Sequence, residues 1–138
     1  MIRTFIDAGV LIAAARGKGE LASRALSVLK EPNREFASSI LLKLEVLPKA
    51  LYYKNQLEID FYEEFFQNVA HWADSSDQII QMAYKEATEN GLAAMDSLHI
   101  AAAILVGATE LITIERPEKP IHRTKSLKVI SIWMDESI

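Results

Sequence analysis

Residues 93–104 read AAMDSLHIAAAI, a run of small and apolar residues broken by one carboxylate and one imidazole. Asn90-Gly91 just before it is a helix C-cap signal, and Gly107 closes it, so the spacing predicts a helix over residues 94–107 with Asp96 in its first turn. A helix face this apolar is expected to be buried. A buried carboxylate is costly unless it is paired or bound to a cation. The fold around Asp96 therefore has to supply something positive.

Working outward, IRTFI at 2–6 is short, β-branched and aromatic and stops at Asp7, which reads as a buried strand. GVLIAAARG and residues 20–29 read as helices, the second with Leu21, Ala25, Val28 and Leu29 on one face. Residues 31–33, EPN, break the pattern before a short strand EFAS, and Ser38 and Ser39 are good caps for a helix over 40–54 that Pro48 should kink or divide. Residues 57–71 follow as an amphipathic helix with Phe61, Phe65, Phe66 and Val69 as its stripe, read as plain core. Trp72-Ala73 forms a brief strand, SSDQ caps a helix over 76–89, and after the 94–107 helix ELITI and LKVISIW are strands. Strands alternating with helices imply an α/β fold: a three-layer α/β/α sandwich with a mainly parallel central sheet, one domain over 1–138.

Composition narrows the class. A chain of 138 residues, half of them apolar and a quarter charged, is long enough for a sizeable core. It has no cysteine, which excludes disulfides and thiolate metal sites and suits a reducing compartment. The N-terminus lacks a signal-peptide pattern and no apolar run reaches a membrane span, so a cytoplasmic protein with no membrane partner is expected. The net charge is −4, but residues 116–128 carry five cations against Glu118 alone, a local +4 that leaves −8 for the rest. Such a segment is either a solvated basic loop or a phosphate-contacting edge beside an acidic pocket.

In a parallel sheet the ligand site lies at the carboxyl ends of the strands, where the next helices begin. Four acids fall there: Asp7 after the first strand, Glu45 in the helix after the second, Asp96, and Glu115 after LITI. Glu45 is also flanked by apolar residues, ILLKLEVL, and is expected to be buried as Asp96 is. Each acid alone has a plainer account, Asp96 as a helix-dipole acid and Glu45 as a solvated residue near Lys43 and Lys49. Four together are harder to explain so. Converging carboxylates repel, and a hard oxygen donor set favours Mg²⁺ or Mn²⁺. Such a cation would polarise a phosphoryl oxygen and make hydroxide available from bound water. Neither a Gly-x-Ser-x-Gly elbow nor a P-loop occurs, so acyl transfer and NTP hydrolysis lack their usual parts. His99, one turn after Asp96, is read as a core histidine rather than a carboxylate-orienting one. His122 beside Arg123 is the better candidate for phosphate contact.

FIDAGVLIAAARG, SSILLKLEV, AAMDSLHIAAAILVGATELIT and LKVIS also resemble the successive motifs of the PIN domain family, the fold of VapC-type toxins and of several RNA-processing nucleases. The block over 94–113 is the most specific part. The resemblance implies a metal-dependent endoribonuclease in which Asp7, Glu45 and Asp96 hold Mg²⁺ or Mn²⁺ and Glu115 stands in the place of a fourth acid, usually Asp. It implies that Thr113 hydrogen-bonds a metal ligand or water, and it is grouped with Arg116, His122 and Arg123 on the substrate side. RNA, an antitoxin protein and a second copy of the chain are the partners expected. Three stretches depart from the pattern: Ala8-Gly9-Val10, where a polar residue is usual, Glu115 itself, and ERPEKPIHRTK in place of a short acidic and aromatic turn. The alternative is a catalytically weak PIN-like module that binds RNA or protein.

Overall fold

The computed structural model describes residues 1–74 and 76–134. Ser75, one of the expected cap residues, lies outside the described residues, as do the last four positions of the expected domain. The chain begins with β1 (Ile2–Ile6), α1 (Ala8–Arg16), α2 (Gly19–Leu29) and β2 (Arg34–Ser39). It continues through α3 (Ile40–Tyr52), α4 (Gln56–Gln67), β3 (His71–Ala73), α5 (Ser76–Asn90) and α6 (Ala94–Leu105). It ends with β4 (Glu110–Thr113), a 3-10 turn at Pro120–Arg123 and β5 (Lys128–Ser131).

The strands form one sheet in the order β3-β2-β1-β4-β5, and every neighbouring pair is parallel. Parallel strands need covering on both faces, and the pleat turns successive residues to opposite layers. Phe5 and Leu111 pack with Ile79, Ala83 and Ile100 of α5 and α6. Their neighbours Ile6 and Ile112 pack with Val10, Leu42 and Phe66 of the α1, α3 and α4 layer. The α/β/α sandwich expected from the sequence is therefore present. The chain runs from β1 outward to β3 and then returns to the other side of β1 as β4, which makes the β1–β4 edge the point where the strand order reverses.

Local chemistry sets the element ends. The Asp7 carboxylate caps α1 by accepting from the Ala8 amide, and Gly17 at φ +64° closes that helix as only a residue without Cβ does cheaply. Ser39 caps α3 through the Leu42 amide. Ser38 does not cap; it stays in β2 with its buried hydroxyl unpartnered.

Two expectations are corrected. Pro48 does not divide α3, which runs unbroken past it: Pro48 and Leu44 are both exposed, on the side of the helix where water can stand in for a lost backbone hydrogen bond. The helix expected to reach His71 stops at Gln67, because Ala70 donates to the Phe36 carbonyl and residues 71–73 are claimed by pairing with β2.

Candidate active site

Asp7 leaves β1 at the switch point with both carboxylate oxygens engaged: Oδ1 accepts from the Ala8 amide at 2.9 Å and Oδ2 accepts from the Thr113 hydroxyl at 2.9 Å. Thr113 ends β4, is fully buried, and accepts in turn from the Glu115 amide at 3.1 Å. The Asp7 carboxylate is thus fixed from two directions. Thr113 makes the hydrogen bond to an expected metal ligand that the resemblance implied, and its burial sets it behind Asp7 rather than on the substrate side where it was also grouped.

Gly9, where a polar residue is usual in the resembling family, is explained by packing. A Cβ at Gly9 would come within 2.6 Å of Ile114 Cγ1, so the glycine lets the β4 end lie against α1. That close approach sets Glu115 beside Asp7's helix.

Asp96 is half-buried in the first turn of α6, and its carboxyl is pushed above the ordinary carboxylate range. Burial is the largest cause, followed by the negative charges of Asp7 and Glu115; His99 opposes the rise and Glu45 adds to it. Asp7, Glu115 and, least, Glu45 each bear on the charge of Asp96. Among the described residues no Lys or Arg pairs with any of them. Asp96 and the Glu115 carboxylate have no hydrogen-bond partner among those residues either.

Glu45 differs from expectation. Its side chain is 32% exposed, not buried, because on α3 the apolar neighbours Ile40 and Leu44 point to solvent while Leu42 and Val46 face the core. An apolar flank in sequence is not an apolar face in space. Glu45 Oε1 lies 2.8 Å from His99 Nε2, and His99 is 1% exposed. Buried as the core reading held, His99 also touches one of the acids, a role the sequence reading had set aside. Its place one turn after Asp96 was the available signal.

The basic segment is more structured than a solvated loop. The Arg116 guanidinium sits 4.6 Å from the Trp133 ring centre, His122 Nε2 donates to the Glu115 carbonyl at 3.0 Å, and Arg123 donates to the Asn90 carbonyl at 3.1 Å. Lys119, Lys125 and Lys128 are exposed. His122 and Arg123 therefore join the segment to the two site-bearing connections, after β4 and before α6. The residue that sequence reading missed outright is Glu86 on α5, which is buried and accepts from the Thr124 hydroxyl and, at 2.7 Å, from Ser126 Oγ. It completes the buried stripe Ile79, Ala83, Glu86, the signal that could have found it.

The donor chemistry fits a hard divalent cation: oxygens only, mutually repelling, with no protein cation paired to them. Among the described residues, however, no three His, Asp or Glu side chains are gathered tightly enough to hold a metal ion as they stand. A cation would draw the acids together.

Comparison with solved structures settles the architecture. A chain of the VapBC2 structure from Rickettsia felis, bound to a DNA fragment from its promoter, matches with a TM-score of 0.69 at 14% identity, covering 94% of this chain and 98% of that one. A chain of a toxin-antitoxin complex from Klebsiella pneumoniae matches with a TM-score of 0.69 at 20% identity over 93% and 96%. The fold is PIN-like. A chain of VapBC-1 from nontypeable Haemophilus influenzae gives a TM-score of 0.67 at 19% identity over 94% and 98%. No protein-family model and no curated protein matches the sequence. At these identities the likeness concerns the PIN-like fold. No helix among the described residues is long and apolar enough to cross a membrane.

Proposed function

We propose that the chain is a metal-dependent endoribonuclease, the toxin of a toxin-antitoxin pair, hydrolysing RNA phosphodiester bonds with Mg²⁺ or Mn²⁺. The observation that carries this reading is the acid constellation around Asp96 at the strand-order reversal, with no protein cation to neutralise it. A bound divalent cation supplies Lewis acidity to a phosphoryl oxygen and a water of lowered pKa. Asp7, Glu45 and Asp96 are the residues that would hold it, with Glu115 beside them. Thr113 and the Ala8 amide orient Asp7; burial first, and then the negative charges of Asp7 and Glu115, raise the pKa of Asp96, and a cation would offset both. Arg116, His122, Arg123 and the exposed lysines of 116–128 bear on the phosphates that flank the scissile bond, which adds affinity without reading sequence.

An antitoxin as partner is supported by the matched structures, which are toxin-antitoxin assemblies, and by apolar surface at the α3–α4 corner. Leu51, Tyr52, Tyr53 and Leu57 are all exposed there, more than a free surface usually leaves together. A second copy of the chain is the other partner this surface suits. The competing reading, a PIN-like module that binds RNA or protein with little catalysis, is favoured by the open arrangement of the acids.

A nuclease assay on mixed RNAs with Mg²⁺, Mn²⁺ or EDTA, with Asp7→Asn as control, separates the two. Cleavage that needs the cation and Asp7 is expected. RNA retention without metal-dependent cleavage would leave the binding module.

A further inference from the structure

His99 stands outside the acid set and is the one buried imidazole that touches it. Its ring is enclosed on α6 beside Phe5, with ring centres 6.0 Å apart, and its two nitrogens have different surroundings. Nε2 lies 2.8 Å from Glu45 Oε1, while Nδ1 is buried with no hydrogen-bond partner among the described residues. A carboxylate oxygen only accepts, so the hydrogen between them belongs to Nε2.

From this geometry we infer that His99, donating from Nε2, is the residue that positions Glu45 for a divalent cation; the inference rests on the metal reading proposed above. The need for such a residue is visible on α3. Glu45 is a partly exposed side chain with free rotamers, and Lys49 stands at i+4, the spacing at which a surface ion pair forms. Glu45 and Lys49 are not paired. Both border the groove between α1, α3 and α4, into which the carboxylate would otherwise swing toward Lys49 and Arg16. The buried imidazole, immobile on a helix packed on both sides, holds Glu45 toward α6 and Asp96. Partners that orient a ligand from behind typically affect metal affinity about 10- to 100-fold.

The test uses the whole chain and Mn²⁺ alone, titrated calorimetrically into wild type, His99→Leu and His99→Gln, with each variant's Tm measured without metal. The amide nitrogen of Gln can donate to Glu45, and Leu cannot. The expected result is a loss of Mn²⁺ affinity of about 10-fold or more in His99→Leu and recovery to within about 3-fold of wild type in His99→Gln. A general loss of core packing would lower both variants alike and would not be rescued by Gln. Undiminished affinity in His99→Leu, or an equal loss in both variants, overturns the inference and leaves the metal reading standing. Failure of wild type to bind Mn²⁺ overturns the metal reading and the inference with it. Should the variants not fold, ¹⁵N chemical shifts of His99 in metal-free wild type decide: a hydrogen on Nε2 supports the inference, and an Nε2 without one overturns it.

Discussion

Glu86 offers the cleanest quantitative check on how the basic segment is held. It is 1% exposed, it lies on α5, and it accepts from Thr124 and Ser126, 38 and 40 residues further along the chain. Truncation in Glu86→Ala removes the acceptor of both hydroxyls. Ser126 opens to solvent and can turn to water, but Thr124 is buried, so one orphaned donor costs about 1–3 kcal/mol. The lost side chain leaves a void that adds roughly 1 kcal/mol. The variant should thus be destabilised by about 2–4 kcal/mol, or roughly 6–12 °C in Tm for a chain of this size. Replacing both ends by apolar groups, Glu86→Met with Thr124→Val, should recover most of that loss, because no buried polar atom is then left unpaired. Urea denaturation gives the free energies, and hydrogen exchange over residues 119–128 should accelerate in the Ala variant. Unfolding of Glu86→Ala within about 0.5 kcal/mol of wild type would refute the reasoning, since that is the range of ordinary surface changes.

Four further outcomes follow from the site. Excess Mn²⁺ should raise the stability of wild type by about 2.7 kcal/mol at a hundred times its Kd, and Asp7→Asn should abolish the rise; a thermal scan with and without the ion measures both. Without metal, Asp96 has its folded-state pKa raised, so the folded chain retains a proton that the unfolded chain releases, and stability falls as pH rises from the ordinary carboxylate value through the folded one and stays lowered above it. Asp96→Asn should accordingly raise Tm at pH 7 in EDTA and flatten that fall, and an unchanged pH profile would count against the convergence of acids. Changing Arg116 and Arg123 together to Ala should lower the slope of RNA affinity against salt by about two units while leaving Mn²⁺ affinity unaltered; the same slope would remove the segment from the substrate path. Gly9→Ala should destabilise the chain despite the better helix former, because moving Ile114 out of the way costs about 1–3 kcal/mol against a gain of about 1; denaturation midpoints of Gly9→Ala and of its combination with Ile114→Ala should show non-additive coupling.

The parts of the fold legible in the sequence are those where one local signal acts alone. IRTFI could be placed as a buried strand because it is short, β-branched and aromatic and stops at Asp7, and Asn90-Gly91 marked the turn before α6 because the backbone there needs positive φ, which Gly91 adopts at +65°. The failures are those where a distant partner decides. The end of α4 depends on where β2 runs, which no residue of 57–71 encodes. Pro48 depends on which side of α3 faces water, and Glu45 on the same thing. Asp7, Asp96 and Glu115 could be picked out by position because strand ends in a parallel sheet share an edge, whatever their neighbours. Thr113 could be tied to a metal ligand through the family resemblance and not through spacing, because which acid a strand-end hydroxyl reaches is open until β4 is known to lie next to β1.

The charge segregation read from the chain takes on a different meaning in three dimensions. A basic stretch amid acids suggests mutual neutralisation, and the structure shows that this does not happen. Arg116 lies over Trp133, His122 and Arg123 donate to backbone carbonyls, and Glu86, the carboxylate that anchors the stretch, does so through hydroxyls rather than through a cation. The cations are thereby kept from the four acids while being fixed at the edges of the connections that carry them. Burial, and then the negative charges of Asp7 and Glu115, hold the Asp96 carboxyl above its ordinary range with no Lys or Arg among the described residues paired to it. On the function proposed above, acids left without a protein cation would take positive charge from solution, and the basic edge would be left for a polyanion. Metal and nucleic acid would then bind to adjacent surfaces without competing for any residue.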